Sequence, residues 1–247
     1  NVSFRYHNQT VDALSNVSIS FKKNEKIAIV GVNGAGKTTL IKLLTRLYEP
    51  EAGAIYINDI NIENVSRLEL YGKYSVVFQE SNLFAFTLAE NISLKPLKDT
   101  NIKLVIQCLD KVGLSDAVNK LPKGVLQPVL KIIDDDGIEF SGGELQKLSL
   151  ARALYKDAPI MILDEPTASY DALAEERIYK MFNDLTQNKM VFYISHRLAS
   201  TRFCDRIIML EDGIIVEQGS HDELVKQGGK YASLFQIQSQ YYKEGTL

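Results

Sequence analysis

Four short runs of β-branched or alternating residues stand in the first part of the chain: Val2–Tyr6, Val17–Phe21, Ile27–Val30 and Ala54–Ile57. Turn-forming pairs such as Asn24-Glu25 and Asn58-Asp59 separate them, so each run predicts a strand. Among them, Leu40, Ile41, Leu43, Leu44 and Leu47 recur at helical spacing, and Thr38–Leu47 is predicted helical. From about Leu83 to Lys156 the periodicity becomes helical throughout, most clearly over Ile102–Val112 and Leu145–Leu154. Wholly apolar runs return at Ile160–Leu163 and Val191–Ser195, with a helical pattern over Ala172–Leu185 between them. That is a βαβ unit and implies a parallel sheet buried on both faces. Arg206–Leu210 and Ile214–Gln218 flank Asp212-Gly213 and predict a hairpin. Tyr231–Tyr242 reads as a surface helix with an aromatic stripe.

The expected organisation is a core with its β subdomain over about 1–82 and 156–225, a helical subdomain over about 83–155, and a C-terminal helix over about 226–247. A hydrophobic fraction of 45% in 247 residues supports a folded core without staples. The net charge of -3, with no sustained Lys/Arg run, argues against a nucleic-acid partner. Ile27–Val32 and Ile160–Leu163 are far shorter than the roughly 20 apolar residues a bilayer crossing needs. This piece is therefore not expected to span a membrane. Cys108 and Cys204 have no metal-ligand spacing and are expected as buried thiols in a reducing setting. The sequence opens within a strand-like pattern, without Met or signal peptide, and is expected to be a piece of a longer polypeptide.

Gly31-Val32-Asn33-Gly34-Ala35-Gly36-Lys37-Thr38 matches the phosphate-binding loop pattern in full, after a predicted strand and before a predicted helix. Glycines let backbone N–H groups converge on phosphate oxygens, and the helix N-terminus adds partial positive charge. Lys37 is expected at the outer phosphates of ATP, Thr38 on Mg²⁺, and Thr39 in the same nucleotide-binding set. The second half of such a site needs a carboxylate at the end of a buried strand. Ile160-Met161-Ile162-Leu163-Asp164-Glu165 supplies it. Ionised carboxylates there are costly unless a cation and polar partners await them. Asp164 is assigned to the Mg²⁺ shell and Glu165 to the attacking water. These residues define an α/β protein with a P-loop NTPase (RecA-like) core.

Ser141-Gly142-Gly143-Glu144-Leu145-Gln146, with Ala151-Arg152-Ala153 on the helix that follows, resembles the signature motif of ABC ATPases, and the resemblance covers nearly the whole chain. It implies the P-loop core with an antiparallel β subdomain and an inserted α-helical subdomain. Tyr6 resembles the residue that stacks on adenine. Gln79 in Val76-Val77-Phe78-Gln79 resembles the Gln that contacts nucleotide and Mg²⁺ from the loop joining the subdomains. Asp171 in Ala168-Ser169-Tyr170-Asp171 resembles the cross-dimer loop after the catalytic strand, and His196 in Ile194-Ser195-His196-Arg197 the switch histidine.

The family pairs two such domains head to tail. Ser141, Gly142, Gly143 and Glu144 of one would then contact the ATP held by the other's Gly31–Thr39. The implied partners are a second copy or homologous ATPase domain and a transmembrane domain fused upstream, at the cytoplasmic face of the cell membrane. Phe4-Arg5-Tyr6 and Leu83–Ile92 are similar to the exporter type. A separately encoded importer subunit, an ABC ATPase of DNA repair, chromosome organisation or ribosome work, and a non-enzymatic module that binds ATP and dimerises but hydrolyses it poorly are the alternatives. The chain departs from the family pattern in three places. Glu144 stands where Gln is usual, Ala168 where Ser is usual, and Ile133-Asp134-Asp135-Asp136-Gly137 where exporters carry a Gly-Glu pair. Asp134–Asp136 is read as a solvated loop.

Overall fold

The computed structural model describes residues 1–78, 82–166 and 180–244, with only the backbone of 199, 200 and 241–244. The chain divides into two compact units. One comprises Asn1–Tyr74, Pro159–Glu165 and Thr186–Leu247, the other Ser75–Ala158 and Pro166–Leu185.

In the first unit, strands β3 (Lys26–Val30), β7 (Ile160–Asp164), β8 (Met190–Ile194) and β9 (Arg206–Glu211) run parallel, and β10 (Ile214–Gly219) returns antiparallel to β9. Their order is β10-β9-β3-β8-β7. Near-continuous burial along β3, β7, β8 and β9 matches the apolar runs in the sequence, as expected of strands covered on both faces. Asp212 (φ 46°) and Gly213 (φ 76°) both adopt the left-handed conformation that a tight two-residue hairpin requires.

Register decides where the chemistry falls. Asp164 pairs with Ile194, and Ile29 pairs with Ile194 from the other side, so β7, β8 and β3 end in one row. The chain then leaves β3 through Gly31 into helix α1 (Lys37–Leu44).

The antiparallel part of this unit is β1 (Val2–Phe4) with β2 (Leu14–Val17), and the hairpin β4 (Tyr56–Ile57) with β5 (Ile60–Asn61) around Asn58 and Asp59. The expected strand Val17–Phe21 is corrected. Leu14 and Val17 are the buried positions of β2, residues 18–21 lie outside any strand, and Phe21 instead packs edge-on against Phe192. Helix α2 (Arg67–Gly72) and strand β6 (Tyr74–Val77) were not predicted. Ser66 caps α2 by accepting from the Glu69 N–H.

Helices α7 (His221–Gln227) and α8 (Lys230–Glu244) complete the first unit. The surface-helix expectation for Tyr231–Tyr242 is corrected at its start. Tyr231 is 0% exposed and packs with Ala28, Val30, Leu198, Ile207, Met209 and Leu224. Aromatic area buried beneath a helix anchors it.

The second unit is helical: α3 (Leu88–Ser93), α4 (Ile102–Lys111), α5 (Ser115–Asn119) and α6 (Gly142–Lys156), with residues 180–185 also helical. Helix α6 packs against α3 and α4, and Leu88, Ile92, Val105, Cys108, Leu109, Leu148 and Ala151 on these helices are buried. Arg152 on α6 donates to Asn91 O at 2.7 Å, Asn91 Oδ1 at 3.0 Å and Asn82 O at 2.7 Å. Cys108 is buried, Cys204 is half-buried, and burial pushes both thiols up. Asp134, Asp135 and Asp136 are exposed, with Asp136 paired to Lys123 at 3.2 Å. Among the described residues, no helix is long and apolar enough to cross a membrane.

Candidate functional site

The loop from Gly31 to Gly36 is shaped by close approaches that exclude side chains. A Cβ on Gly31 (φ 150°) would meet Leu210 O at 2.2 Å, and one on Gly36 (φ 101°) would meet Ala13 O at 2.6 Å. Gly31→Ala is expected to lower stability by about 2–4 kcal/mol, because the clash is with backbone and the conformation disfavours a side chain. A urea midpoint equal to that of the unsubstituted chain would contradict this. Gly36 is the N-cap of α1 and provides no side-chain cap, so N–H groups of the first turn are left to an external acceptor.

Lys37 is buried, and its Nζ donates to Gly31 O at 2.8 Å and Val32 O at 3.0 Å. Burial lowers its pKa, while the charges of Glu165 and Asp164 act in the opposite direction. Thr38 is exposed on the same turn. Thr39 Oγ1 lies 3.0 Å from the Tyr6 hydroxyl, joining two expected nucleotide contacts. The Tyr6 ring packs against Phe4 and Tyr48, and Lys42 Nζ stands 5.6 Å above it.

At the end of β7, burial foremost and the neighbouring charge of Glu165 push the Asp164 carboxyl up to about 6, despite Lys37. This is a carboxylate short of positive charge. Among the described residues, no cluster of three or more His, Cys, Asp or Glu could hold a metal unaided. The set nevertheless fits Mg²⁺, which is characteristically held by one or two carboxylates together with substrate phosphates and water. Asp164 and the Thr38 hydroxyl are the residues that would hold it.

The raised pKa has a measurable sign. Below about pH 6 the Asp164 carboxyl takes up a proton and loses its capacity as a ligand. Mg²⁺ affinity in the presence of ATP is therefore expected to weaken by up to about tenfold per unit below that point. Isothermal titration between pH 5 and 8 checks this, and an affinity that is flat down to pH 5 would contradict it.

Glu165 turns out of the strand in the left-handed region (φ 48°), a conformation costing an ordinary side chain roughly 1–2 kcal/mol. Its N–H donates to Ile194 O at 2.9 Å, which ties the turn to β8. Its Oε1 lies 3.0 Å from His196 Nδ1, and the carboxylate is mostly buried at 16% exposure against 47% for the imidazole. A carboxylate only accepts, so this hydrogen bond needs the imidazole tautomer with the proton on Nδ1.

In the second unit, Ser141 opens α6 with a capping box. Glu144 Oε2 accepts from Ser141 N at 2.9 Å and from Ser141 Oγ at 2.7 Å. Those bonds hold the Glu144 carboxyl below its usual range. The carboxylate thus turns back onto its own helix start. Gly142 and Gly143 form the first turn of α6.

The structure brings together Lys37, Asp164, Glu165 and His196, and places Tyr6 with Thr39. Gln79, Ala168 and Asp171 lie outside the described residues. Gln238 was missed. It accepts from Leu198 N at 2.8 Å and donates to His196 O at 2.6 Å, directly behind the histidine. Its only signal was a position seven residues beyond Tyr231, on the same helical stripe.

Comparison with known proteins bears on the family of the chain. A family model described as ABC transporter matches residues 14–168. The ATP-dependent lipid A-core flippase of Methylobacillus flagellatus is 37% identical over 238 residues, covering 96% of this chain and 40% of the relative. The Beta-(1-->2)glucan export ATP-binding/permease protein NdvA of Agrobacterium vitis is 37% identical over 233 residues, covering 94% and 39%. A solved bacterial Atm1-family ABC exporter with ATP bound superposes with a TM-score of 0.87 at 32% identity, covering 96% and 41%. The chain thus spans about 40% of the length of these relatives.

Proposed function

Because the chain belongs to the ABC transporter family, we propose that it binds and hydrolyses ATP while paired head to tail with a second copy or a homologous domain, and so powers export of a substrate across a membrane. Membrane helices fused upstream would receive the movement, with this domain at the cytoplasmic face. Residues of about 83–155 would act as the helical subdomain.

The observation that carries this reading is the Glu165–His196 pair, held in a turn whose charges reach Lys37 at the entry of α1. Gly31–Thr39 cradles the phosphates through backbone N–H groups, and Lys37 exchanges the Gly31 and Val32 carbonyls for phosphate oxygens. Tyr6 meets the adenine and Thr38 and Asp164 serve the outer phosphate, while Gln79, outside the described residues, keeps the role in nucleotide and Mg²⁺ binding that the resemblance implies. Asp164 and Thr38 would hold Mg²⁺, which when bound would supply neutralisation of the phosphate charge. Glu165 orients the attacking water and accepts its proton as the water oxygen bonds to the γ-phosphorus and the bond to the β-phosphate oxygen breaks. His196 holds the carboxylate at its position through Nδ1.

Ser141, Gly142, Gly143 and Glu144 meet the partner's ATP, as does Asp171. Because Glu144 bonds to Ser141 Oγ, that hydroxyl would have to turn from the carboxylate to donate to a phosphate. Ser141→Arg is expected to leave ATP binding by the single chain within twofold and to remove ATP-driven pairing. A variant that pairs and hydrolyses normally would overturn the shared-site reading.

A further inference from the structure

Helix α8 reaches the segment that carries the switch histidine. Tyr231, Leu234 and Phe235 form its packed stripe, and Gln238 follows at the spacing that continues that stripe. A polar residue at such a position needs partners, and Gln238 finds two on one loop. Its Oε1 accepts from Leu198 N at 2.8 Å, and its Nε2 donates to His196 O at 2.6 Å. Only one orientation of the amide satisfies an N–H and a carbonyl together.

Both contacts answer needs of the backbone. Leu198 opens a short 3₁₀ turn, Leu198–Phe203, and Arg197 before it offers no side-chain cap. The Gln238 oxygen therefore caps that turn from outside the segment. The Ser195 hydroxyl accepts from Arg197 N at 2.9 Å and donates to Arg197 O at 3.1 Å. Residues 196–198 are thus held by Ser195 in the middle and by Gln238 on both sides. The imidazole itself meets Glu165, with Nδ1 3.0 Å from Oε1.

The helix can carry this role because its own start is fixed. Tyr231 OH lies 2.6 Å from Thr201 Oγ1 and 2.8 Å from His221 Nδ1, and Glu217 accepts from Tyr231 N at 3.0 Å. Arg202 stacks over Phe235 at 5.0 Å. These contacts lock α8 onto the segment that follows His196.

We propose that Gln238 is a positioning residue for ATP hydrolysis: the C-terminal helix sets the placement of His196, and through it Glu165, by clamping the backbone on either side of Arg197. This rests on the proposed role of His196 in hydrolysis.

The test uses Gln238→Leu, which keeps side-chain bulk while removing both amide bonds, with Ile237→Ala on the exposed side of the helix as control. Expected for Gln238→Leu are a kcat lowered by about tenfold and an ATP Kd within twofold of the original. In a His196→Ala background, the same substitution is expected to add no further loss.

Histidine NMR gives a readout that needs no turnover, since the chain has three histidines, His7, His196 and His221. The His196 ring resonance is expected to move in Gln238→Leu. The His221 resonance, which reports the Tyr231 anchor, is expected to stay. Movement of both, an equal loss of kcat in both backgrounds, or unchanged kcat would overturn the proposal. Full turnover by His196→Ala alone would instead overturn the role of His196, and the positioning role with it. That outcome is distinguishable because Gln238 is intact in that variant.

Discussion

Glu165→Gln is expected to lower ATP turnover by about 10²–10⁴-fold while leaving ATP affinity within twofold, the range that loss of a positioned general base gives. The amide matches the carboxylate in size, so the tight turn at φ 48° and the N–H bond to Ile194 O are retained. The amide oxygen can still accept from His196 Nδ1, which sits 3.0 Å from the carboxylate. What disappears is the basicity needed to take a proton from water. Single-turnover hydrolysis and a nucleotide-binding titration on the same sample separate the two effects. Near-normal turnover would move the proton-accepting role elsewhere.

Lys37→Ala is expected to act on binding first. Charge-assisted bonds to phosphate contribute about 1.5–3 kcal/mol, so ATP affinity should fall by roughly 10–150-fold. A second consequence follows from the local charges. Lys37 draws the Asp164 carboxyl down, against burial and Glu165, which push it up. Without the ammonium, Asp164 is expected to titrate above 6, and Mg²⁺ affinity at pH 7 should weaken as well. Titrations of ATP with and without Mg²⁺ distinguish the two losses. Unchanged affinity in both would remove Lys37 from the phosphate site.

The parts of this arrangement that were legible in the sequence are those in which local pattern and chemistry coincide. The apolar run Ile160–Leu163 had to be a buried strand, and acids at its end had to be functional or very costly. The glycines of the loop announced backbone approach, which the Leu210 O and Ala13 O contacts explain. Where pattern was ambiguous, tertiary contacts decided. Val17–Phe21 alternates like a strand, yet pairing with β1 takes Leu14–Val17 and leaves Phe21 to pack on Phe192. The stripe from Tyr231 was visible as periodicity, but not its depth, because burial depends on the surface that β3 and β9 offer. Gln238 was unreadable for the same reason: its partners are backbone groups 40 and 42 residues earlier in the chain. The resemblance places Glu144 against a partner's nucleotide. Its bonds to Ser141 show that it also caps its own helix.

On this reading ATP joins two of these domains through the loop of one and the signature of the other. The decisive experiment is light scattering of Glu165→Gln with and without MgATP, with Ser141→Arg in the same background as control. The expected result is a nucleotide-dependent doubling of mass that the control abolishes. A chain that stays single with ATP bound, or a pair that forms equally well with Arg at position 141, would contradict the claim.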